Sequence, residues 1–262
     1  MMFFEVVLLA IIQAITEFVP ISSSAHLLLT PWLFNWPNPG LAFDAAIHIG
    51  TAAALVVFFW KDFARLIKTR DKLLWYILVA SIPAALLGFF GDKLIEKTLH
   101  EASYAPLVVG LGLMFFGVVL YLVDHFAKKE KDITQMSWFD SLFVGFAQAL
   151  ALVPGTSRSG ITITAGLLMG YTREEAARFS FLLATPISLG AGVYKLYDIA
   201  KHPAEAHTSL WLTIVGIIVA FAAGIVVIKW LLDYLRKHSM LIFVVYRLVV
   251  GALIVVVWWW RR

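Results

Sequence analysis

Two apolar runs in this 262-residue chain are each interrupted by a proline followed by a cluster of hydroxyls, and the two interruptions resemble one another. The first, residues 13–26, reads Gln-Ala-Ile-Thr-Glu-Phe-Val-Pro-Ile-Ser-Ser-Ser-Ala-His, with Glu17, Pro20 and His26 around three serines. The second, residues 148–160, reads Gln-Ala-Leu-Ala-Leu-Val-Pro-Gly-Thr-Ser-Arg-Ser-Gly. With Pro20 laid on Pro154, Ser23 falls on Ser157 and Ser24 on Arg158, and Gln13 and Gln148 agree within one residue. The flanking halves, residues 3–18 with 25–36 and 138–153 with 160–171, are each shorter than the roughly 20 residues that cross a bilayer. Such broken pairs read as re-entrant helices, tolerated at membrane depth only where protein or water surrounds the break. Ionisable groups placed there are costly, and their default reading is functional.

Composition makes the bilayer the relevant solvent. The chain is 61% hydrophobic and 15% charged, with mean hydropathy +0.86, which fits a polytopic membrane protein and not an average soluble domain. Many of its tryptophans, among them Trp60, Trp138 and Trp258–Trp260, stand near the ends of apolar runs, where interfacial belts form. The net charge of +4 lies in short loops, so it reports orientation and argues against nucleic-acid binding. The absence of cysteine excludes a disulfide framework and a Cys-ligated metal. With no basic N-terminal region, and Glu5 within the first apolar run, no cleaved signal peptide is expected.

After the first broken pair come spans at about residues 41–60, 73–90 and 106–126. After the second come spans at about 179–197, 210–229 and 241–260. Residues 61–72 carry five basic and two acidic side chains and are expected in the cytoplasm, as are Lys128-Lys129-Glu130-Lys131 and Arg236-Lys237-His238. Residues 92–101 carry two lysines against three acids and are expected outside. One broken pair plus three spans is an odd number of crossings, so the second half must be inserted upside down relative to the first. Leu107-Val-Val-Gly110 in the last span of the first half matches Leu248-Val-Val-Gly251 in the last span of the second. The expectation is a single all-α membrane domain with six transmembrane helices and two re-entrant pairs. Residues 1–130 and 131–262 would form an inverted-topology repeat, an architecture that puts its site near the midplane.

The breaks carry the chemistry. Gly155, Thr156, Ser157, Arg158, Ser159 and Gly160 offer small residues for close backbone approach, hydroxyl donors and a guanidinium, just ahead of a half-helix N-terminus. That combination suits an anion, and phosphate fits the planar fork of arginine. In a soluble protein the same residues would read as an ordinary polar loop; between apolar half-helices, and with a counterpart, they read as an anion site. Gln13 and Glu17 share one helix face and could hold a hard cation together with substrate oxygens. Ser22, Ser23 and Ser24 supply donors or a nucleophile, and His26 an acid or base. Glu17 has a plainer reading, pairing with Arg158 to satisfy its burial. His26 could likewise be a satisfied core histidine. Arg247 in the last span needs a partner, and its role is either structural or substrate-orienting.

Together, Gln-x-x-x-Glu-Phe-x-Pro-x-Ser-Ser-x-x-His and Pro-Gly-x-Ser-Arg-Ser-Gly-x-Thr, with Phe179-Ser-Phe-Leu-Leu-Ala-Thr-Pro186, resemble the bacterial undecaprenyl-diphosphate phosphatase family of the BacA type over essentially the whole chain. Gln13 stands where that family has Glu or Gln, which leaves one carboxylate, and Ser24 and Ala25 stand where many members have Thr and Gly. A separate family of lipid phosphatases marked by Lys-x6-Arg-Pro does not fit, since that signature is missing. The resemblance implies hydrolysis of undecaprenyl diphosphate to the monophosphate carrier lipid of cell-wall synthesis. It implies a bacterial cytoplasmic (inner) membrane location with the site facing outside, and association with bacitracin resistance, bacitracin competing for the same lipid. It also implies a divalent cation, Mg or Ca, on Glu17 and Gln13, and it leaves room for a homodimer. The expected catalytic set is Glu17, Ser23, His26 and Arg158, with Ser23 or a water as nucleophile and His26 moving the proton. Ser157, Ser159 and Thr162 would position phosphate oxygens, helped by Ser22, Ser24 and the Gly155–Gly160 loop. The rival is a transporter or flippase of a lipid phosphate, which would need Arg158 and the helix ends but not the Glu17, Ser23 and His26 set.

Overall fold

A computed structural model describes residues 2–37, 40–95, 104–201 and 208–261. Eleven α-helices run through them: α1 (Phe3–Phe18), α2 (Ser23–Phe34), α3 (Leu41–Phe58), α4 (Trp60–Thr69), α5 (Lys72–Ile95), α6 (Ala105–Phe126), α7 (Trp138–Ala149), α8 (Arg158–Leu168), α9 (Arg173–Lys201), α10 (Leu210–Leu235) and α11 (Leu241–Trp260). Short 3-10 turns lie at Ile133–Gln135 and Leu150–Leu152. Helix is the outcome in apolar surroundings because it satisfies the backbone within one segment. Pro31, Pro83 and Pro186 sit inside α2, α5 and α9 without ending them. Both half-helices after the breaks begin earlier than the apolar runs suggest, at Ser23 and Arg158, because polar residues form their first turns. Of the expected loops, Asn38-Pro39 and residues 96–101 of the acidic external segment lie outside the described residues.

Five helical segments have the length and hydropathy to cross a membrane: Lys72–Phe90, Ala105–Phe126, Arg173–Tyr194, Leu210–Leu235 and Leu241–Trp260. The bent pair α3–α4, turning 59° at Phe59, makes a sixth if counted as one span. The basic segment expected as a loop is therefore mostly helix. In α4 the apolar Leu66 is buried while Arg65, Lys68 and Thr69 are exposed, the pattern of a helix lying along an interface. Outward faces are apolar, with Ile218 59% and Val226 67% exposed on α10 and Leu253 58% on α11, a surface suited to acyl chains. The chain is an all-α, multi-pass membrane protein.

Packing follows a reciprocal plan. Helix α1 of the first half lies along α10 of the second, and α7 of the second lies along α5 of the first. Helix α3 packs on α9 and α10, and α6 on α11. In lipid there is little hydrophobic drive between helices, so close packing has to supply the attraction, and small residues permit it. A Cβ on Gly110 would lie 2.9 Å from the Gly251 carbonyl, and one on Gly251 would lie 2.7 Å from the Gly110 carbonyl. The glycines of the two matching Leu-Val-Val-Gly segments thus face each other at the α6–α11 crossing. Ion pairs gather the basic ends: Arg178 with Asp62, Arg173 with Asp124, and Arg236 with Glu174. The Arg261 guanidinium stacks on Trp32, 4.0 Å from its ring centre.

Candidate active site

The two breaks have the same local build. Ser22 caps α2 and Ser157 caps α8, each with positive φ (75° and 70°), which non-glycine residues rarely adopt. In each, the cap hydroxyl pairs with that of the serine two residues on: Ser22 Oγ–Ser24 Oγ 3.3 Å and Ser157 Oγ–Ser159 Oγ 3.2 Å. The structural register therefore sets Ser22 on Ser157 and Ser23 on Arg158, one residue from the proline-based register. The second loop has one more residue between its proline and its cap, and that residue shifts the match. Gly155 takes φ +84°, and a Cβ there would collide with the Val109 carbonyl, so glycine is required.

Glu17, at the end of α1, is the hub. Its Oε1 accepts from Arg158 Nη2 at 2.6 Å, which joins the two breaks directly. Its Oε2 accepts from the Ser23 hydroxyl at 2.7 Å and from Gln13 Nε2 at 3.1 Å. His48 Nε2 lies 3.7 Å from the same oxygen. Arg158 Nη1 donates to Ser188 Oγ at 2.6 Å, so both ends of its fork are held. Glu17 and Arg158 keep 10% and 19% of their side-chain surface exposed, whereas Ser24 is exposed outright, so the cluster is screened but reachable. A hydroxyl on a carboxylate, beside a planar cation, has the chemistry to act as a nucleophile with its base next to an anion grip.

His26 lies apart from this contact. Its Nδ1 bonds the Ser22 carbonyl at 2.7 Å and its Nε2 the Tyr246 hydroxyl at 2.7 Å, with the rings stacked. Glu17, and not His26, receives the Ser23 hydroxyl. Several residues expected to position phosphate oxygens have their hydroxyls engaged within the protein. Ser157 Oγ accepts from the Gly160 amide at 3.1 Å, and Ser159 Oγ donates to the Val19 carbonyl at 3.2 Å. Thr162 Oγ1 donates to the Arg158 carbonyl at 2.8 Å and pairs with Ser180 Oγ at 2.6 Å. These groups hold the loop in shape, because buried hydroxyls need partners and the nearest ones are the loop's own.

Arg247 resolves as structural. Fully buried, it donates to the carbonyls of Pro20 (3.0 Å), Gly155 (2.9 Å), Thr156 (2.9 Å) and Leu113 (3.1 Å). One guanidinium thus satisfies carbonyls left over by both breaks and by α6, which carboxylate pairing would not do. Sequence reasoning missed His48, Ser188 and Tyr246 at the site. The signal available for His48 is a polar residue early in the 41–60 run, four after Asp44; Ser188 and Tyr246 carry none beyond their neighbours Pro186 and Arg247.

Among the described residues no three His, Cys, Asp or Glu side chains form a metal site. The donor set at this centre nonetheless suits a hard cation, since Gln13, whose Nε2 donates to the Glu17 carboxylate, keeps its Oε1 buried with no protein partner. Mg²⁺ commonly takes one or two carboxylates and fills its other positions with water and substrate phosphate.

A family profile described as bacitracin resistance protein BacA matches residues 6–253. A protein named undecaprenyl-diphosphatase from Moorella thermoacetica is 44% identical, covering 98% of each chain. Proteins of the same name from Pelotomaculum thermopropionicum and Desulforudis audaxviator are 43% and 41% identical, covering 95% of this chain and 94% and 95% of their own. With its two motif-bearing breaks inside a match of that extent, the chain belongs to the BacA bacitracin resistance protein family.

Proposed function

We infer that this protein is a membrane phosphatase that hydrolyses undecaprenyl diphosphate to undecaprenyl phosphate and inorganic phosphate. The observation that carries the reading is the Ser23 hydroxyl held at 2.7 Å on a carboxylate that Arg158 also grips at 2.6 Å. Ser23 Oγ attacks the terminal phosphorus while its proton passes to Glu17. The bond from that phosphorus to the bridging oxygen breaks, and the lipid monophosphate leaves. Water then attacks the serine phosphate, releasing inorganic phosphate and restoring the hydroxyl. Arg158 and the amides at the start of α8 neutralise charge on the transferring group. Ser24 lies at the open side as a further donor, with the buried Ser22 hydroxyl paired to it. A divalent cation, Mg or Ca, on Glu17 and Gln13 would supply additional positive charge to the diphosphate.

The architecture that serves this chemistry is an inverted repeat of residues 1–130 and 131–262. Its supports are the exchanged packing of α1 on α10 and α7 on α5, the paired serine caps, and the facing Gly110 and Gly251. The membrane is the bacterial inner one, and the site opens outward, where bacitracin would meet the same lipid. The ion-paired ends carrying Asp62, Asp124 and Arg236 are then cytoplasmic, in line with the basic loops around them. A transporter is the weaker reading, because carrying a phosphate requires Arg158 but not a serine lodged on a glutamate.

The test is phosphate release from undecaprenyl diphosphate by the purified full chain, with and without chelator. Stoichiometric phosphate and lipid monophosphate are expected, lost with chelator and with Ser23→Ala. Recovery of intact diphosphate from active-looking, folded protein would favour the transporter.

A further inference from the structure

Two buried side-chain oxygens on α1 and α3, the helices that carry Glu17 and His48, lack partners. Gln13 Oε1 is buried without a protein partner, and so is Asp44 Oδ1, one helical turn before His48. Buried acceptors left unpaired cost free energy, and a cation is the ligand that relieves such an excess. His48 contributes an electron pair to the same place. Its Nδ1 lies 2.7 Å from the Asp44 carbonyl, and a carbonyl can only accept, so Nδ1 carries the proton and Nε2 of the neutral ring carries the lone pair. That Nε2 stands 3.7 Å from Glu17 Oε2, to which Gln13 Nε2 donates at 3.1 Å, so a half-turn of the Gln13 amide would bring its oxygen to the same place. The imidazole keeps 40% of its side chain exposed, so an ion can reach it.

We propose that His48 is a third protein ligand of the divalent cation, through Nε2, completing a set with Glu17 and Gln13. This rests on the phosphatase reading and refines it. Imidazole nitrogen turns a site of hard oxygens toward the first-row transition ions, so Mn²⁺ or Co²⁺ should outbind Mg²⁺ and Ca²⁺ here. It adds a donor atom beside position 13, where the ligand is a neutral amide and not a carboxylate. The Asp44 carbonyl acts as a positioning group by fixing the tautomer that leaves Nε2 free.

The experiment uses the full chain in detergent with Mn²⁺ as the probe, read by electron spin-echo modulation and by titration of free Mn²⁺. A directly bound imidazole ¹⁴N is expected on the metal in the parent protein, lost in His48→Gln and kept in His26→Gln. The Mn²⁺ dissociation constant should rise in His48→Gln by about ten- to a hundredfold. The parent spectrum decides even if the variant fails to fold: bound Mn²⁺ without nitrogen coupling overturns the proposal, leaving His48 as an ion-pair partner of Glu17. Nitrogen coupling that persists in folded His48→Gln overturns it as well. Phosphate release measured on the same preparation separates the two readings. Hydrolysis without a nitrogen ligand removes only the His48 assignment, whereas absence of hydrolysis in metal-loaded, folded protein removes the phosphatase reading beneath it.

Discussion

Glu17 meets two demands that compete for one carboxylate. It counters Arg158 through Oε1, and it accepts the Ser23 hydroxyl through Oε2. The oxygens are divided between these partners, so in the proposed reaction the arginine would serve the phosphate while the serine stays on its base. Arg158→Lys replaces a planar fork by a point charge and cannot hold Glu17, Ser188 and phosphate together. It should keep diphosphate binding while kcat falls on the order of 10²–10³, the usual loss for one preorganised donor. Binding measured by lipid competition, beside single-turnover rates, checks this. A folded Arg158→Lys protein working at the parental rate would reduce Arg158 to a counter-ion. The placement of His26 yields a second expectation. Glu17→Gln removes the base from Ser23 and should cost roughly 10²–10⁴ in rate. His26→Gln disturbs only the Ser22 carbonyl and Tyr246 contacts and should cost clearly less. The reverse order, measured on phosphate release, would restore the proton to His26. Glu17, Ser23 and Arg158 were legible in the sequence because charged and hydroxyl groups stand out in apolar runs, and so was the pairing of Glu17 with Arg158; the lodging of Ser23 on the same carboxylate was not.

At the scale of elements, the breaks are irregular backbone deep in the protein, and their carbonyls cannot turn to water. Arg247 answers this with bonds to Pro20, Gly155 and Thr156, so one side chain sets the distance between the two caps. Ser22 and Ser157 hold positive φ, a conformation costing on the order of 1–3 kcal/mol each that only surrounding structure sustains. Arg247→Lys keeps the charge but loses the fork, leaving carbonyls unpaired at about 1–3 kcal/mol each. Its thermal midpoint, followed by fluorescence-detected chromatography, should drop by several degrees, and activity should fall although the residue touches no substrate. An unchanged midpoint would show that the breaks hold themselves. The breaks were readable from their prolines and short halves, and the interfacial α4 was not. Its basic residues read as a loop because charge was weighed for sidedness, whereas Trp60, Phe63, Ala64 and Ile67 keep a helical period between those charges.

For the whole molecule, the exchanged packing has a topological consequence. The chain has no cysteine, so single introduced cysteines report sidedness without background. Cysteines at Lys68, after α3, and at Lys129, after α6, should react only from the cytoplasm, and one at Ser209, before α10, only from outside. Labelling of Lys68 and Ser209 positions from one side would end the inverted arrangement. Loop charge alone gave this orientation, and the ion pairs at the helix ends gather the same segments.

By itself the sequence determined that the chain lies in a membrane, roughly where five of its long apolar helices fall, and which two segments carry polar chemistry. Those follow from local quantities: the hydropathy of a run, the length needed to cross a bilayer, and the cost of a charge within it. The tertiary structure alone decided that Glu17 serves Ser23, that His26 turns to Tyr246, that Arg247 binds the breaks together, and that His48 joins the centre from α3. The partners in the last two cases are 227 residues apart for Arg247 and Pro20 and 31 apart for His48 and Glu17. No periodicity in a helix specifies which neighbour its polar residue will meet; that is settled only when helices from opposite halves pack and every buried donor must find an acceptor.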